Sequence, residues 1–173
     1  MGTRETTNRL WRGWAISAGF TIIEVAVVTA LLGVVTAIGF PLYLSFQRAQ
    51  ETDGAARTIV TLLNQARQLA ITRGTSFGVE AQTNPVNLIR FCSGPTVPCP
   101  TTFWTGAGTD GSGWRPLGNA ARIVLGPAIV FSSLGAATAS GTLRVQNSSA
   151  TGCLDVVVSP SGRIRITAPA ACP

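Results

Sequence analysis

The chain has no lysine and no histidine, so its thirteen basic residues are all arginine. Without histidine it lacks the commonest general base and the commonest metal ligand. Acids are also scarce. Of seven in all, only Glu80, Asp110 and Asp155 lie beyond residue 74, and they are scattered. There is no nucleophile elbow, no P-loop and no HExxH pattern. The glycines of Gly106-Ala-Gly108 and Gly111-Ser-Gly113 do not lead from a strand into a helix, as a phosphate-cradling loop requires. Four cysteines are present, but the C-x2-C spacing of zinc sites is not. Neither an enzyme, nor a resident metal, nor a cofactor is expected.

The chain is rich instead in one long apolar run, Gly19 to Phe46, whose only charge is Glu24. About 20 apolar residues span a bilayer as a helix, so the run is long enough to be an anchor. A core helix of a soluble protein is seldom apolar all round over such a length. A carboxylate near the edge of that run either snorkels to the interface or meets a cation, because an unpaired charge in lipid is costly. Pro41 removes a backbone donor and crowds the preceding turn, so a kink is expected near Gly39. Before the run, Arg4, Arg9 and Arg12 form a basic leader, and the positive-inside rule keeps that end cytoplasmic.

The stretch Gly19-Phe20-Thr21-Ile22-Ile23-Glu24 resembles the class III signal sequence of type IV pilins and pseudopilins: a short basic leader, a glycine, a phenylalanine, and a glutamate fifth in the mature chain. The resemblance implies cutting between Gly19 and Phe20 by prepilin peptidase, N-methylation of Phe20, and an assembly role for Glu24. In that role the carboxylate meets the N-terminal amine of a neighbouring subunit. Pro41 falls where helices of this family are commonly bent or unwound in filaments. The implied setting is a bacterial inner membrane, crossed once, with a periplasmic head that enters a pilus or pseudopilus. Loss of residues 1–19 removes three arginines and Glu5, lowering the formal charge from +6 to +4. That excess is modest and favours anionic partners only weakly.

Beyond the run, Ile59, Leu62, Leu63, Ala66, Leu69 and Ala70 recur at helical spacing, with Arg57, Gln65 and Arg67 mostly off the stripe. The spacing predicts a continuous helix from Phe20 to Arg73, loosened around Thr52-Asp53-Gly54 and stopped by Gly74. After Gly74 the chain breaks into short strand-like pieces: 76–82, 86–92, 114–117, 122–125, 129–132, 142–146, 154–159 and 163–167. The stretch 101–113 reads as an exposed loop, with packing expected for Trp114 and Phe131 and the place of Trp104 left open. The domain plan is therefore 1–19 leader, 20–46 membrane and filament-core helix, 47–74 amphipathic helix and 75–173 β-rich head. In an exported head the cysteines are expected as disulfides, and four cysteines allow three pairings. Cys92–Cys99 is preferred because CSGPTVPC favours a tight return, and Cys153–Cys172 because it ties the last hairpin at its ends.

Several stretches together resemble the GspH/FimT group of minor pilins and pseudopilins. They are Leu63-Asn-Gln-Ala-Arg-Gln-Leu-Ala-Ile-Thr-Arg-Gly74, a strand ending at Cys92, the glycine-rich segment from Trp104 to Trp114, and the close from Cys153 to Cys172. The implied fold class is α+β: a long N-terminal helix packed on an antiparallel β-sheet head. Within the close, Pro160-Ser161-Gly162 signals a turn, and alternation puts Arg163 and Arg165 on one face with Ile164 and Ile166 on the other. Such arginines can simply keep an edge strand soluble. Gly162-Arg163-Ile164-Arg165 also matches the GRxR motif of FimT-like minor pilins, which implies sequence-independent binding of double-stranded DNA in natural transformation. Arg144 and Arg122 extend that patch only if folding brings their strands alongside. The alternative implied by the same group is a minor pseudopilin acting in the priming or tip of a type II secretion pseudopilus. The expected partners are thus other pilin subunits, the peptidase, the membrane and DNA. Glu24→Ala is expected to leave cleavage intact and to impair incorporation into filaments, read by immunoblotting of sheared filament fractions. Normal incorporation would remove the charge-pairing role.

Overall fold

A computed structural model describes residues 20–83, 85–99, 102–118 and 120–172. The leader and Gly19 lie outside them, as does Thr101 at the start of the expected loop. The elements in order are α1 (Ile22–Arg73), β1 (Phe77–Gln82), β2 (Leu88–Ser93), β3 (Arg115–Pro116), β4 (Arg122–Leu125), β5 (Ile129–Phe131), β6 (Ala137–Ala139), β7 (Gly141–Gln146), β8 (Cys153–Val158) and β9 (Ile164–Thr167). The chain divides into two compact units at Pro41/Leu42.

In the first unit, Thr21 accepts the Glu24 amide on its side-chain oxygen (3.3 Å) and on its carbonyl (3.1 Å). Thr21-Ile22-Ile23-Glu24 has the spacing of a capping box, and an acid in the first turn opposes the positive end of the helix dipole. The bonds formed here are those of the Glu24 amide, with Thr21 as the capping residue, and the Glu24 carboxylate lies in the first turn. The described residues of this unit, 20–41, are all exposed, Ile22 at 92%. By length and composition the helix qualifies to cross a membrane. Gly39 and Pro41 both lie within α1.

In the second unit, α1 turns one face inward. Thr52, Ala55, Ala56, Ile59, Leu62, Leu63, Ala66 and Ala70 are buried, at the three- and four-residue steps of a single helical stripe. The helix runs unbroken through Thr52-Asp53-Gly54, so the expected loosening is absent: Thr52 is packed inward and Asp53 pairs with Arg57 at 2.7 Å. At its end, Gly74 has φ +65°. Its amide donates to the Ile71 carbonyl (3.3 Å) and that of Thr75 to the Ala70 carbonyl (3.2 Å). This pair of bonds is the Schellman arrangement that a glycine after the last turn makes possible.

The strands form two antiparallel sheets, β3-β2-β1-β5-β6 and β4-β7-β8-β9. One core joins the helix stripe to both: Phe77, Ile89 and Phe131 from the first sheet, Ile123, Leu143, Val145 and Val156 from the second. Strand β6 was not expected, because Ala-Thr-Ala carries little strand preference; its pairing with β5 makes it a strand. The segment before β3 is less free than a loop. Phe103 bridges Cys92, the Trp104 amide donates to the Phe91 carbonyl (2.9 Å), and the Trp104 ring lies 5.7 Å from that of Phe91, against the core. Asp110 accepts the amides of Ser112 and Trp114 at 2.8 Å each. Disulfides join Cys92 to Cys99 and Cys153 to Cys172.

The turn between β8 and β9 is held from below. Gly162 (φ +79°) donates to the Ser159 carbonyl (2.8 Å), and the Ser159 amide donates to that of Arg163 (2.9 Å). This is a three-residue hairpin loop whose last member is left-handed. The Ala137 amide donates to the Pro160 carbonyl (3.0 Å), and a Cβ at Gly162 would collide with the Gly135 carbonyl oxygen. That same oxygen accepts the Arg67 Nε from α1 at 2.8 Å. Gly162→Ala is expected to cost at least about 1–2 kcal/mol through the left-handed backbone alone, with the collision added. Leu63→Ala, at a fully buried site, should cost about 2–5 kcal/mol, whereas Leu134→Ala, at an exposed turn, should stay within about 0.5 kcal/mol. Denaturant unfolding of the detergent-solubilised chain, followed by tryptophan fluorescence, checks all three.

Candidate functional site

Register decides which residues share a face of the β4-β7-β8-β9 sheet. Arg165 stands opposite Val157, Thr167 opposite Asp155, Asp155 opposite Arg144, and Arg122 opposite Gln146. Side chains opposite one another in a ladder point to the same face. The other parity, Leu143, Val145, Val156 and Val158, is buried in the core. Arg122, Arg144 and Arg165 therefore lie together on the face turned away from the core, and Arg163 is exposed just before β9 starts. Folding does bring the strands of Arg122 and Arg144 alongside the hairpin. The four arginines run diagonally across the sheet from β4 to the β8–β9 turn.

Their states differ. Among the described residues, Arg122, Arg163 and Arg165 are exposed and have no ion-pair partner. Arg144 is engaged: its Nε donates to Asp155 Oδ1 at 2.6 Å and its Nη2 to Oδ2 at 2.8 Å. That hydrogen-bonded fork, aided by the carboxylate charge and opposed by desolvation, raises the Arg144 pKa above its usual value. Arginine is charged at any physiological pH in either case, so the pair carries no net charge there. The free guanidinium groups present forked donors suited to phosphate or carboxylate oxygens. The turn that carries Arg163 is anchored through Pro160 and Gly162 to the β5–β6 turn, and through Arg67 to α1. Arg67 was read only as lying off the apolar stripe and Gly135 was not singled out; nothing local marks a glycine 27 residues before Gly162 as its seat.

Aromatic groups lie elsewhere. Arg90 stacks over Trp114 (4.3 Å to the ring centre) and pairs with Glu80 (2.8 Å), while Trp104 and Phe131 belong to the packing of the first sheet. Glu80, Cys92 and Cys99 bring three ligand atoms together, but the two sulfurs are bonded to each other. The carboxylate meanwhile holds Arg90 and the Cys99 amide (3.1 Å). The cluster is a brace for the 93–99 loop, with no donor set left for a cation.

The family model described as "Type II transport protein GspH" matches residues 55–162, more than half of the chain. In structure the chain is similar to the type IV minor pilin FimU of Pseudomonas aeruginosa strain PAO1, with TM-score 0.51 and 16% identity over 74% of this chain and 99% of that one. It is also similar to the minor pseudopilin EpsH from the type 2 secretion system of Vibrio cholerae, with TM-score 0.50 and 19% identity over 70% and 99%. No curated protein matches. At these identities the two structures establish the α+β fold, a long apolar N-terminal helix on antiparallel sheets. The family match carries the rest: the chain belongs to the GspH family within the type IV pilin and pseudopilin superfamily, and is a membrane-anchored minor pilin or pseudopilin that assembles with other pilin subunits.

Proposed function

We propose that this minor pilin captures double-stranded DNA without regard to sequence, for uptake in natural transformation, through Arg163 and Arg165 on the hairpin seated by Gly162. The supporting observation is the diagonal of exposed, unpaired guanidinium groups on the outer sheet face, which Arg122 extends. Phosphate contacts of this kind position a duplex without reading its bases, and each neutralised phosphate releases counterions. Arg144, paired with Asp155, is not counted among the contacts. Before assembly, prepilin peptidase cuts between Gly19 and Phe20, Phe20 is N-methylated, and the chain sits once across the bacterial inner membrane with its head in the periplasm. Glu24 then meets a neighbour's terminal amine, and the bend at Gly39 and Pro41 is taken up in the filament. Several copies in one fibre raise a weak grip through avidity.

A second reading, a minor pseudopilin in the priming complex or tip of a type II secretion system, is favoured by the description of the matching family and by the likeness to EpsH. Neighbouring genes separate the two: pilus and DNA-uptake components for the first, export machinery for the second.

The DNA reading is tested by gel retardation of a random-sequence duplex with the detergent-solubilised chain across a salt series. Three phosphate contacts predict a log–log salt slope of about −2.7, or about 40-fold weaker binding on going from about 50 to 200 mM salt. Arg163→Glu with Arg165→Glu should abolish retardation and leave the unfolding midpoint near wild type, since both side chains are exposed. Retardation that survives the double reversal puts the DNA site elsewhere.

A further inference from the structure

We propose that Asp155 is a built-in stand-in for a phosphate: it occupies the guanidinium fork of Arg144 and thereby limits how tightly the arginine diagonal grips a polyanion. This rests on the DNA reading above and deepens it.

The geometry is that of a ligand in a site. Both carboxylate oxygens accept from the Arg144 fork, at 2.6 and 2.8 Å, as two phosphate oxygens would. Asp155 is the sole acid on the β4-β7-β8-β9 sheet, and it stands midway along the diagonal. From sheet spacings, the Arg144 backbone lies about 8 Å from that of Arg122 and about 12 Å from that of Arg165. A phosphate backbone lying along Arg122, Arg165 and Arg163 thus passes the one arginine of the row whose charge is already cancelled. Asp155 is buried while Arg144 keeps 24% of its side chain exposed, so the acid sits beneath and the cation lies nearer solvent. Released from Asp155, Arg144 would stand as a fourth free guanidinium on the outer face.

The chemical consequence is a ceiling on affinity. Three free cations give a grip that salt and motion can loosen; a fourth in mid-row would steepen it. A pilin that retains DNA and then passes it onward needs release as well as capture.

The probe is a labelled random-sequence duplex, titrated against the detergent-solubilised full chain across a salt series. Asp155→Asn keeps the shape and an acceptor for Arg144 but removes the charge. It is expected to tighten binding at low salt and to steepen the log–log salt slope by about 0.9, so that the loss of binding between about 50 and 200 mM salt grows from about 40-fold to about 150-fold. Adding Arg144→Gln to Asp155→Asn should return both values to wild type, because a neutral pair replaces a neutral pair. If Asp155→Asn lowers the unfolding midpoint enough to interfere, Asp155→Thr, with its strand preference, makes the same test. An unchanged slope in a folded Asp155 variant overturns the inference and leaves the DNA reading standing. A gain that persists without Arg144 also overturns it, since removal of any nearby acid would then suffice. A wild-type chain that binds no duplex at any salt overturns both.

Discussion

Everything in the head depends on one stripe of α1 being covered by two sheets at once. Ala55, Ala56, Ile59, Leu62, Leu63, Ala66 and Ala70 are each at most 4% exposed, and the side chains over them come from both ladders. Neither sheet has a core of its own that excludes the helix. The stripe places its large side chains, Ile59, Leu62 and Leu63, between two pairs of alanines, and all of them belong to the one buried cluster. Loss of that face would take core partners from both sheets in one step.

Polar residues flanking the stripe then fix where the loops sit. Glu51 accepts from the amide and hydroxyl of Ser148 (3.3 and 2.9 Å), which pins the β7–β8 turn. Gln65 accepts from Arg115 (3.2 Å) at the start of β3, and Arg67 donates to Gly135 under the hairpin (2.8 Å). Each of these contacts spans many tens of residues, so each closes a long loop and ties it to the same rigid rod. Within the β7–β8 turn, the buried Asn147 side chain accepts the amides of Thr151 and Gly152 and donates to the Thr151 hydroxyl. A turn that satisfies its own polar groups can rest on the helix without water.

What the sequence disclosed follows from which forces are local. The helix and its inward face are legible because period and burial coincide: the residues read as the stripe are buried, apart from Leu69 at its margin. Strand β4 was legible to the residue, and β7, β8 and β9 to within one, because short runs rich in valine, isoleucine and leucine stand there between turn signals. Strand β6 was not, since Ala-Thr-Ala owes its conformation to β5 beside it. The 102–113 segment has loop composition, yet it is held by Phe91, Cys92 and Asp110 through contacts no spacing announces. At the candidate site, alternation put Arg165 on the outer face, but it could not show that β4 and β7 would lie alongside in that order. Nor could it show that Arg144 faces an acid eleven residues away.

That last point bears on how charge is to be read in a chain so poor in acids. A surplus of arginine over aspartate and glutamate suggests a surface covered in free cations, and the structure divides them differently. Arg57, Arg90 and Arg144 are each spent on a carboxylate, and Arg67 and Arg115 on backbone or amide oxygens. The guanidinium fork that suits phosphate suits these acceptors equally well, so arginine serves the fold and the surface by the same chemistry. What separates the two uses is position. Arginines facing a partner across a ladder or along a helix are satisfied within the protein. Those at the sheet margins, Arg122 on β4 and Arg165 on β9, have no ion-pair partner among the described residues, because the one acid of the sheet, Asp155 on β8, is held by Arg144. The margin of a sheet is also where unpaired backbone groups invite unwanted strands, and charge there deters them. One placement therefore keeps the edge soluble and leaves donors free, and an anion-gripping surface can arise there without any loss to the core.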